Sequence, residues 1–287
     1  MNKTLIGKNE YLFLINDSCR ELEVHNDNLC IVANNFYNKY ILNIDKFLLI
    51  VFPNKSYIYK QYLPDNYNLQ YRPAFDKYKN YLKKNILDGY DALKDKDDCY
   101  YKTDTHINLK GAYIVYKEFV NKINQLYNLN ISIKNINIEN KICNLSELQL
   151  GIGDLTWEIN LGNQILNNTL DNFYYTNDMN NIYTKYKINI QENYIKILEY
   201  DTNDITHTLI DKIIDWTIIS KYILYKINPD LKYKVLIFYD SFLLSTLELY
   251  LTMFNTVYVA KTIYNNNLIQ LIKPDYIFEF RCERFLN

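Results

Sequence analysis

An alternation of apolar strands and amphipathic helices near the carboxyl end constrains the fold of this chain more than any other feature. Strand and helix patterns follow one another at residues 235–239, 242–254, 256–260, 266–272 and 276–280. A β-α-β-α-β order of this kind predicts a parallel sheet whose strands are joined by right-handed crossovers. The apolar run at residues 46–52, which Pro53 stops, has the length of a fully buried strand, and we expect it to join the same sheet.

The first half of the chain adds helices to this sheet. Residues 108–127 carry apolar side chains at helical spacing, and Asn108 stands where an N-cap residue would be. Residues 29–43 and 73–87 also have a helical pattern, the latter with Pro73 in its first turn. Residues 11–15 are predicted to form a short strand.

Residues 163–200 differ in character, because they are polar, rich in Asn and alternate with Ile and Tyr. The alternation favours β-hairpins inserted into the main fold, and a partly mobile flap is the alternative. The length of 287 residues fits one large domain. We therefore expect a single α/β domain over residues 1–287, with a β-rich insertion at about residues 160–205.

Charge and cysteine content exclude several classes of protein. The chain has 32 Lys and Arg against 33 Asp and Glu, so it lacks the basic excess that nucleic-acid binding needs. Its five cysteines are odd in number and form no C-x-x-C pair. This pattern argues against a disulfide framework and a zinc cluster, and it indicates reduced thiols; we expect no bound metal.

The amino terminus has no charged segment followed by an apolar one, as a secretion signal would. The longest aliphatic or aromatic run is residues 47–52, far short of the roughly 20 residues that span a bilayer. We expect no transmembrane segment and a cytoplasmic location, or an extracytoplasmic one if a leader has been removed. The oligomeric state and any further domains of a longer protein stay open.

Ser241 lies between a predicted strand and the first turn of the next helix. Ligands bind at the carboxyl ends of strands in open α/β sheets. A helix start also offers backbone N–H groups and partial positive charge, which stabilise an oxyanion formed beside a serine. A serine at this position can equally be an ordinary N-cap.

Asp104 and His106 lie two residues apart, in the loop just before the helix at residues 108–127. A serine hydroxyl needs a base, and His is suited to take its proton near neutral pH. An acidic residue then orients the imidazole and stabilises its charged form. We therefore predict that Ser241, His106 and Asp104 form a catalytic triad. A polar surface loop is the alternative for Asp104 and His106, and Cys282 is a less favoured nucleophile.

A family resemblance rests on the segment around these two residues. Residues 101–113 read Tyr-Lys-Thr-Asp-Thr-His-Ile-Asn-Leu-Lys-Gly-Ala-Tyr. This segment resembles the Y-K-T-D-T-H-W-N-x-x-G-A block of the SGNH-hydrolase-like alginate O-acetyltransferases and related bacterial polysaccharide acetyltransferases. Further blocks agree in order, at residues 6–14, 153–155, 235–242 and 274–284.

The resemblance implies a flavodoxin-like SGNH fold, a three-layer sandwich around a central parallel sheet. It implies serine-dependent O-acyl transfer to, or removal from, a glycan hydroxyl, through an acyl-enzyme. In such an O-acetyltransferase or carbohydrate esterase, Ser241 would attack the acyl carbonyl, its N–H would bind the oxyanion, and His106 would be the base. No cofactor is implied beyond an acyl donor, such as an acetylated carrier or acetyl-CoA. The identities of the donor and the glycan are open.

The chain also departs from the family pattern. Tyr239 replaces the Gly before Asp-Ser, and Ile107 replaces the Trp after the His. A second hypothesis is a catalytically weak or inactive glycan-binding or assembly protein of the same fold. It rests on Tyr239 and on the Gly and Asn that complete the oxyanion hole in SGNH esterases, which we do not assign in this sequence. The predicted substrate-binding residues are Tyr239, Asn108, Asp154 and Arg281.

Overall fold

The computed structural model describes residues 3–17, 19, 21–22, 38–67, 69, 72–144, 154–155, 170–175, 223–226 and 231–286. The strands among them are β1 (Thr4–Ile6), β2 (Leu12–Leu14), β3 (Phe47–Phe52), β4 (Ile86–Asp88), β5 (Glu139–Asn144), β6 (Leu170–Tyr175), β7 (Ile223–Lys226), β8 (Lys234–Tyr239), β9 (Thr256–Ala260) and β10 (Tyr276–Cys282). The α-helices are α1 (Asn38–Ile41), α2 (Lys55–Ile58), α3 (Pro73–Leu82), α4 (Gly89–Leu93), α5 (Leu109–Tyr127), α6 (Leu247–Leu251) and α7 (Asn266–Ile272). Two 3₁₀ segments, Ser241–Thr246 and Glu283–Leu286, lie beside the candidate site.

Six strands form the central sheet, in the order β4-β3-β10-β8-β9-β7. The first five run parallel to their neighbours, and β7 pairs antiparallel with β9. All six residues of β3 are buried. A strand that is covered on both faces is apolar throughout, which is why the sequence runs without a polar residue from Phe47 to Phe52. The predicted α/β class with a central parallel sheet is confirmed.

Helices cover both faces of this sheet and make three layers. On one face lies α5, whose Phe119 ring centroid is 5.0 Å from that of Phe278 and 5.4 Å from that of Phe280. On the other face α3 and α7 contribute Phe75 and Leu268 to a second apolar core. The predicted helix at residues 108–127 is confirmed as α5, with Asn108 as its N-cap.

Two predicted helices differ from the structure. The pattern at residues 73–87 ends at Leu82, because Lys83 adopts a positive φ of 52° that stops the α-helix, and the chain continues into β4. The pattern at residues 242–254 begins as a 3₁₀ segment and becomes α6 only at Leu247. The strands β4 and β7 were not predicted.

Part of the prediction falls outside the described residues. Of the helical pattern at residues 29–43, residues 38–43 are described, and α1 forms there. Of the insertion at about residues 160–205, only β6 is described, and it pairs antiparallel with β5. The strand expected at residues 11–15 is β2, which pairs with β1. In the described part of the chain, no helix combines the length and the apolar character needed to cross a membrane.

Candidate active site

The candidate site begins where β8 ends. Asp240 is buried and caps the following 3₁₀ segment, because its Oδ1 accepts a hydrogen bond from the N–H of Phe242 at 3.0 Å. Its Oδ2 accepts from the N–H of Cys282 at 2.6 Å, which ties the end of β8 to the end of β10. Burial raises the pKa of Asp240, and these two N–H groups oppose the rise. Ser241, the next residue, is therefore held at the carboxyl edge of the sheet.

His106 reaches this edge from the loop before α5. Its Nε2 lies 2.7 Å from Ser241 Oγ, and its Nδ1 lies 2.6 Å from Asp104 Oδ1. The backbone N–H of His106 also donates to Asp104 Oδ1, at 2.7 Å. This hydrogen bonding assigns the proton to Nδ1 and leaves Nε2 to accept the serine proton. The structure thus brings together the three side chains that the sequence predicted.

The Asp104 carboxylate carries the negative charge of this arrangement. Burial raises its pKa, but the hydrogen bonds and charge of His106 outweigh burial and hold the pKa of Asp104 below its ordinary value. Asp104 is therefore ionised at neutral pH and can stabilise an imidazolium at His106.

Asp154 joins the site from a different part of the chain. Its Oδ1 accepts from the N–H of Thr105 at 2.7 Å, and its Oδ2 accepts from the Thr105 hydroxyl at 2.5 Å. Its own backbone N–H donates to Asp104 Oδ2 at 3.1 Å. Of the four predicted substrate-binding residues, Asp154 is the one with an exposed side chain at the site.

Two buried cations hold the loop that carries Asp104 and His106. The ammonium of Lys55 donates to the carbonyl oxygens of Tyr101, Lys102 and Asp104, at 3.2, 3.1 and 2.7 Å. The guanidinium of Arg284 donates to the Thr105 hydroxyl at 3.1 Å. Sequence reasoning did not assign either residue to the site. Arg284 closes the matched block at residues 274–284, and this position was the one signal that could have indicated it.

The other three predicted substrate-binding residues do not line the site. Asn108 is fully buried, where its Oδ1 caps Gly111 N–H at 3.0 Å and its Nδ2 donates to the carbonyl of Asp98. Tyr239 is 4% exposed and lies in the apolar core on the α5 side. Arg281 is buried, and its Nε donates to Glu279 at 2.9 Å. Substrate contact by these three residues is therefore corrected to structural roles.

Cys282 is not placed as a nucleophile. Its thiol is fully buried and donates to the side-chain oxygen of Asn54 at 3.3 Å. Burial raises the pKa of Cys282 well above its ordinary value, which disfavours the reactive thiolate.

Asp104, His106 and Asp154 could also be considered as metal ligands, since each offers one ligand atom within 4.8 Å of the others. These atoms already take part in hydrogen bonds, with Thr105, with the Asp154 N–H and between His106 and Asp104. Their arrangement serves hydrogen bonding to the imidazole. The expected absence of a metal stays a prediction.

Comparisons with known proteins place this geometry in a known fold. No protein-family model matches the chain, and the comparison with curated proteins finds no match. Among solved structures, PatB1 from Bacillus cereus with a sulfonyl adduct is 15% identical, over 100% of this chain and 97% of that chain, with a TM-score of 0.56. The O-acetyltransferase domain of AlgJ from Pseudomonas putida is 13% identical, over 99% and 91% of the two chains, with a TM-score of 0.55. A DHHW family protein from Eubacterium siraeum is 15% identical, over 100% and 92%, with a TM-score of 0.57.

These likenesses extend over the whole chain at low sequence identity, so the fold is what they have in common. The three-layer SGNH-like fold that the motif resemblance implied is confirmed.

Proposed function

We propose that this protein transfers an acetyl or related acyl group to a glycan hydroxyl, through an acyl-enzyme on Ser241. The observation that carries the proposal is the 2.7 Å distance between Ser241 Oγ and His106 Nε2, with Asp104 on the other ring nitrogen. A nucleophile, a base and an orienting carboxylate within hydrogen-bond reach are the arrangement that activates a serine.

The first half of the proposed reaction acylates Ser241. His106 Nε2 accepts the hydroxyl proton while Ser241 Oγ attacks the acyl carbonyl of the donor. The tetrahedral oxyanion is stabilised by the N–H of Ser241 at the start of the 3₁₀ segment. His106 then gives its proton to the leaving group, and the acyl-enzyme remains.

The second half resolves the acyl-enzyme. His106 removes a proton from the acceptor hydroxyl, which attacks the serine ester, and the proton returns to Ser241 as the ester breaks. Asp104 is ionised and 2.6 Å from Nδ1, so it stabilises the imidazolium in both halves. Water as the acceptor gives esterase activity, and a sugar hydroxyl gives transfer.

The glycan acceptor and the acetyl group rest on likeness rather than on this site. The fold is shared with the O-acetyltransferase domain of AlgJ, and the matched sequence blocks are those of polysaccharide acetyltransferases. The acyl donor stays open between an acetylated carrier and acetyl-CoA.

The alternative, a catalytically weak or inactive glycan-binding or assembly protein, draws its support from Tyr239 beside Asp240 and from the unassigned oxyanion residues. The Tyr239 side chain belongs to the core on the α5 side, and Asp240 keeps its capping hydrogen bond to Phe242 N–H at 3.0 Å. The bulky residue therefore does not displace the turn that presents Ser241, and we favour the enzyme.

Turnover of a chromogenic acetyl ester tests the proposal. Ser241→Ala should lower kcat/KM by about a thousandfold or more, because it removes the nucleophile. Ser245→Ala is the matched control, since it makes the same change in the same 3₁₀ segment and should keep most of the activity. Adding oligosaccharide acceptors and detecting acetylated sugars by mass spectrometry separates transfer from hydrolysis. Equal rates for wild type and Ser241→Ala would refute the enzyme.

A further inference from the structure

We propose that Asp154 is a positioning residue that supplies a second carboxylate to His106 and shares the stabilisation of its imidazolium with Asp104. The inference rests on the proposed function of Ser241 and His106. Asp154 Oδ2 lies 3.6 Å from His106 Nδ1, next to the 2.6 Å contact that Asp104 makes with the same nitrogen. The base therefore has negative charge from two residues that are 50 positions apart in the chain.

The contacts of Asp154 and its neighbour show that this position is built rather than incidental. The carboxylate accepts two hydrogen bonds from Thr105, and the Asp154 N–H donates to Asp104. Leu155 is buried, its N–H donates to the carbonyl of Thr103 at 3.3 Å, and its carbonyl accepts from the Thr4 hydroxyl at 2.6 Å. Both residues are thus fixed against the loop that carries His106.

A chain of hydrogen bonds aims the Thr105 hydroxyl at Asp154. Arg284 Nη2 donates to Thr105 Oγ1 at 3.1 Å, which leaves the hydroxyl proton free to donate to Asp154 Oδ2 at 2.5 Å. Arg284 is itself fixed by Glu21, whose Oε2 accepts from Nη1 at 3.1 Å while Oε1 accepts from Ser56. The second carboxylate is therefore oriented by a buried network that reaches across the fold.

The environments of the two carboxylates push their pKa values apart. Burial is the largest cause of the raised pKa of Asp154, and the charge of Asp104 is the second. In contrast, the hydrogen bonds and charge of His106 hold the pKa of Asp104 low. Asp104 is the carboxylate in direct contact with the ring, and Asp154, with a side chain 42% exposed, is the outer one. In the described part of the chain, the charged groups that contact this loop besides the two carboxylates are Lys55, at the Asp104 carbonyl, and Arg284, at the Thr105 hydroxyl.

The sign of the effect on His106 follows from its charge. Negative charge from Asp104 and Asp154 beside the ring stabilises the imidazolium that forms when His106 takes the serine proton. The acid limb of the kcat/KM profile responds to this stabilisation, because the base must be neutral in the free enzyme to accept the serine proton. Removing the Asp154 charge should therefore move the acid limb to lower pH while also lowering the plateau.

The test measures kcat/KM of the chromogenic acetyl ester against pH for wild type, Asp154→Asn and Thr105→Val. Asp154→Asn removes the charge and keeps the shape, and we expect the acid limb to move down by about 0.5 to 1 pH unit and the plateau to fall by about three- to tenfold. Thr105→Val keeps the Asp154 charge but removes the hydroxyl, so its plateau should fall without that movement of the limb.

An acid limb of Asp154→Asn that coincides with the wild-type limb would overturn the inference, since a merely structural residue lowers the plateau alone. If Asp154→Asn does not fold, Asp154→Ala gives the same measurement, because it also removes the charge. Failure of the proposed function is a different result, in which wild type and Ser241→Ala turn over the ester equally.

Discussion

Gly111 lies in the first turn of α5, five residues after His106, and its replacement by Ala tests how the fold supports the site. A Cβ at this position would lie 2.5 Å from the carbonyl oxygen of Cys99, 2.7 Å from Ile107 Cγ1 and 2.9 Å from Cys99 Cβ. The nearest of these atoms is backbone. It cannot move freely, because the same Cys99 oxygen accepts the N–H of Asn108 at 3.0 Å.

The magnitude follows from two opposing effects. Overpacking of this kind costs about 1–3 kcal/mol, and we take the upper end because the closest contact is with fixed backbone. Ala is favoured over Gly within a helix by about 1 kcal/mol, which offsets part of that cost. The net loss in the free energy of unfolding should be about 2 kcal/mol, which lowers the melting temperature by about 4–8 °C.

The strain at Gly111→Ala should also lower catalytic activity. Cys99 and Asn108 flank the segment that carries Asp104 and His106, and a displacement of about 1 Å at a reacting group can lower the rate about a hundredfold. We expect kcat/KM for the chromogenic ester to fall at least about tenfold.

Thermal unfolding and ester turnover of Gly111→Ala are the two assays. Asn121→Ala, at an exposed position of the same helix, is the control, and it should be as stable as wild type or slightly more so. A Gly111→Ala protein with wild-type stability and turnover would refute the reasoning that close approach of the backbone requires glycine here.

Four further predictions concern the site. Asp104→Asn should lower kcat by about 10³- to 10⁴-fold, measured by ester turnover. The pKa of Asp104 is lower in the folded than in the unfolded state, so its stabilising effect is present above about pH 4 and lost as the pH falls further; urea unfolding of wild type and Asp104→Asn should converge in acid. Asp240→Asn should lower stability by about 1–3 kcal/mol, since the amide can accept from only one of the N–H groups of Phe242 and Cys282. A chelator should leave turnover unchanged. Turnover that is lost with the chelator and restored by one divalent metal would contradict the interpretation that Asp104, His106 and Asp154 serve hydrogen bonding.

The sheet and its longest helix could be predicted because burial on a regular element leaves a regular pattern. Residues 47–52 are apolar throughout since β3 is covered on both faces, and α5 repeats its buried residues at helical spacing. The strand β4 is missed because it has three residues and its first two lie within the helical pattern at residues 73–87. Its start depends on a positive φ at Lys83, a conformation that a lysine side chain does not signal.

The site was predictable only where its residues form a local motif. Asp104 and His106 are two apart and Ser241 begins a turn, so each could be chosen from its neighbours in the sequence. Lys55 contacts Asp104, which is 49 residues away in the sequence, and Arg284 contacts Thr105, which is 179 residues away. No local sequence pattern contains pairs so far apart.

The three incorrect substrate-binding predictions have a single physical cause. Tyr239, Asn108 and Arg281 are polar residues beside the motifs, and sequence proximity suggested contact with a ligand. Burial decides the matter instead, because each side chain points into the fold and takes part in its packing or hydrogen bonding.

The central claim is that Ser241 is the nucleophile, and covalent trapping tests it most directly. Sulfonyl fluorides react with activated serine hydroxyls, so one of them is a suitable probe. Mass spectrometry of the digested protein should find one sulfonyl group on the peptide that contains Ser241, in wild type and in Ser245→Ala but not in Ser241→Ala. An acetyl donor should give an acetyl group at the same residue. Modification at another residue with Ser241 unmodified, or equal labelling of Ser241→Ala, would contradict the claim.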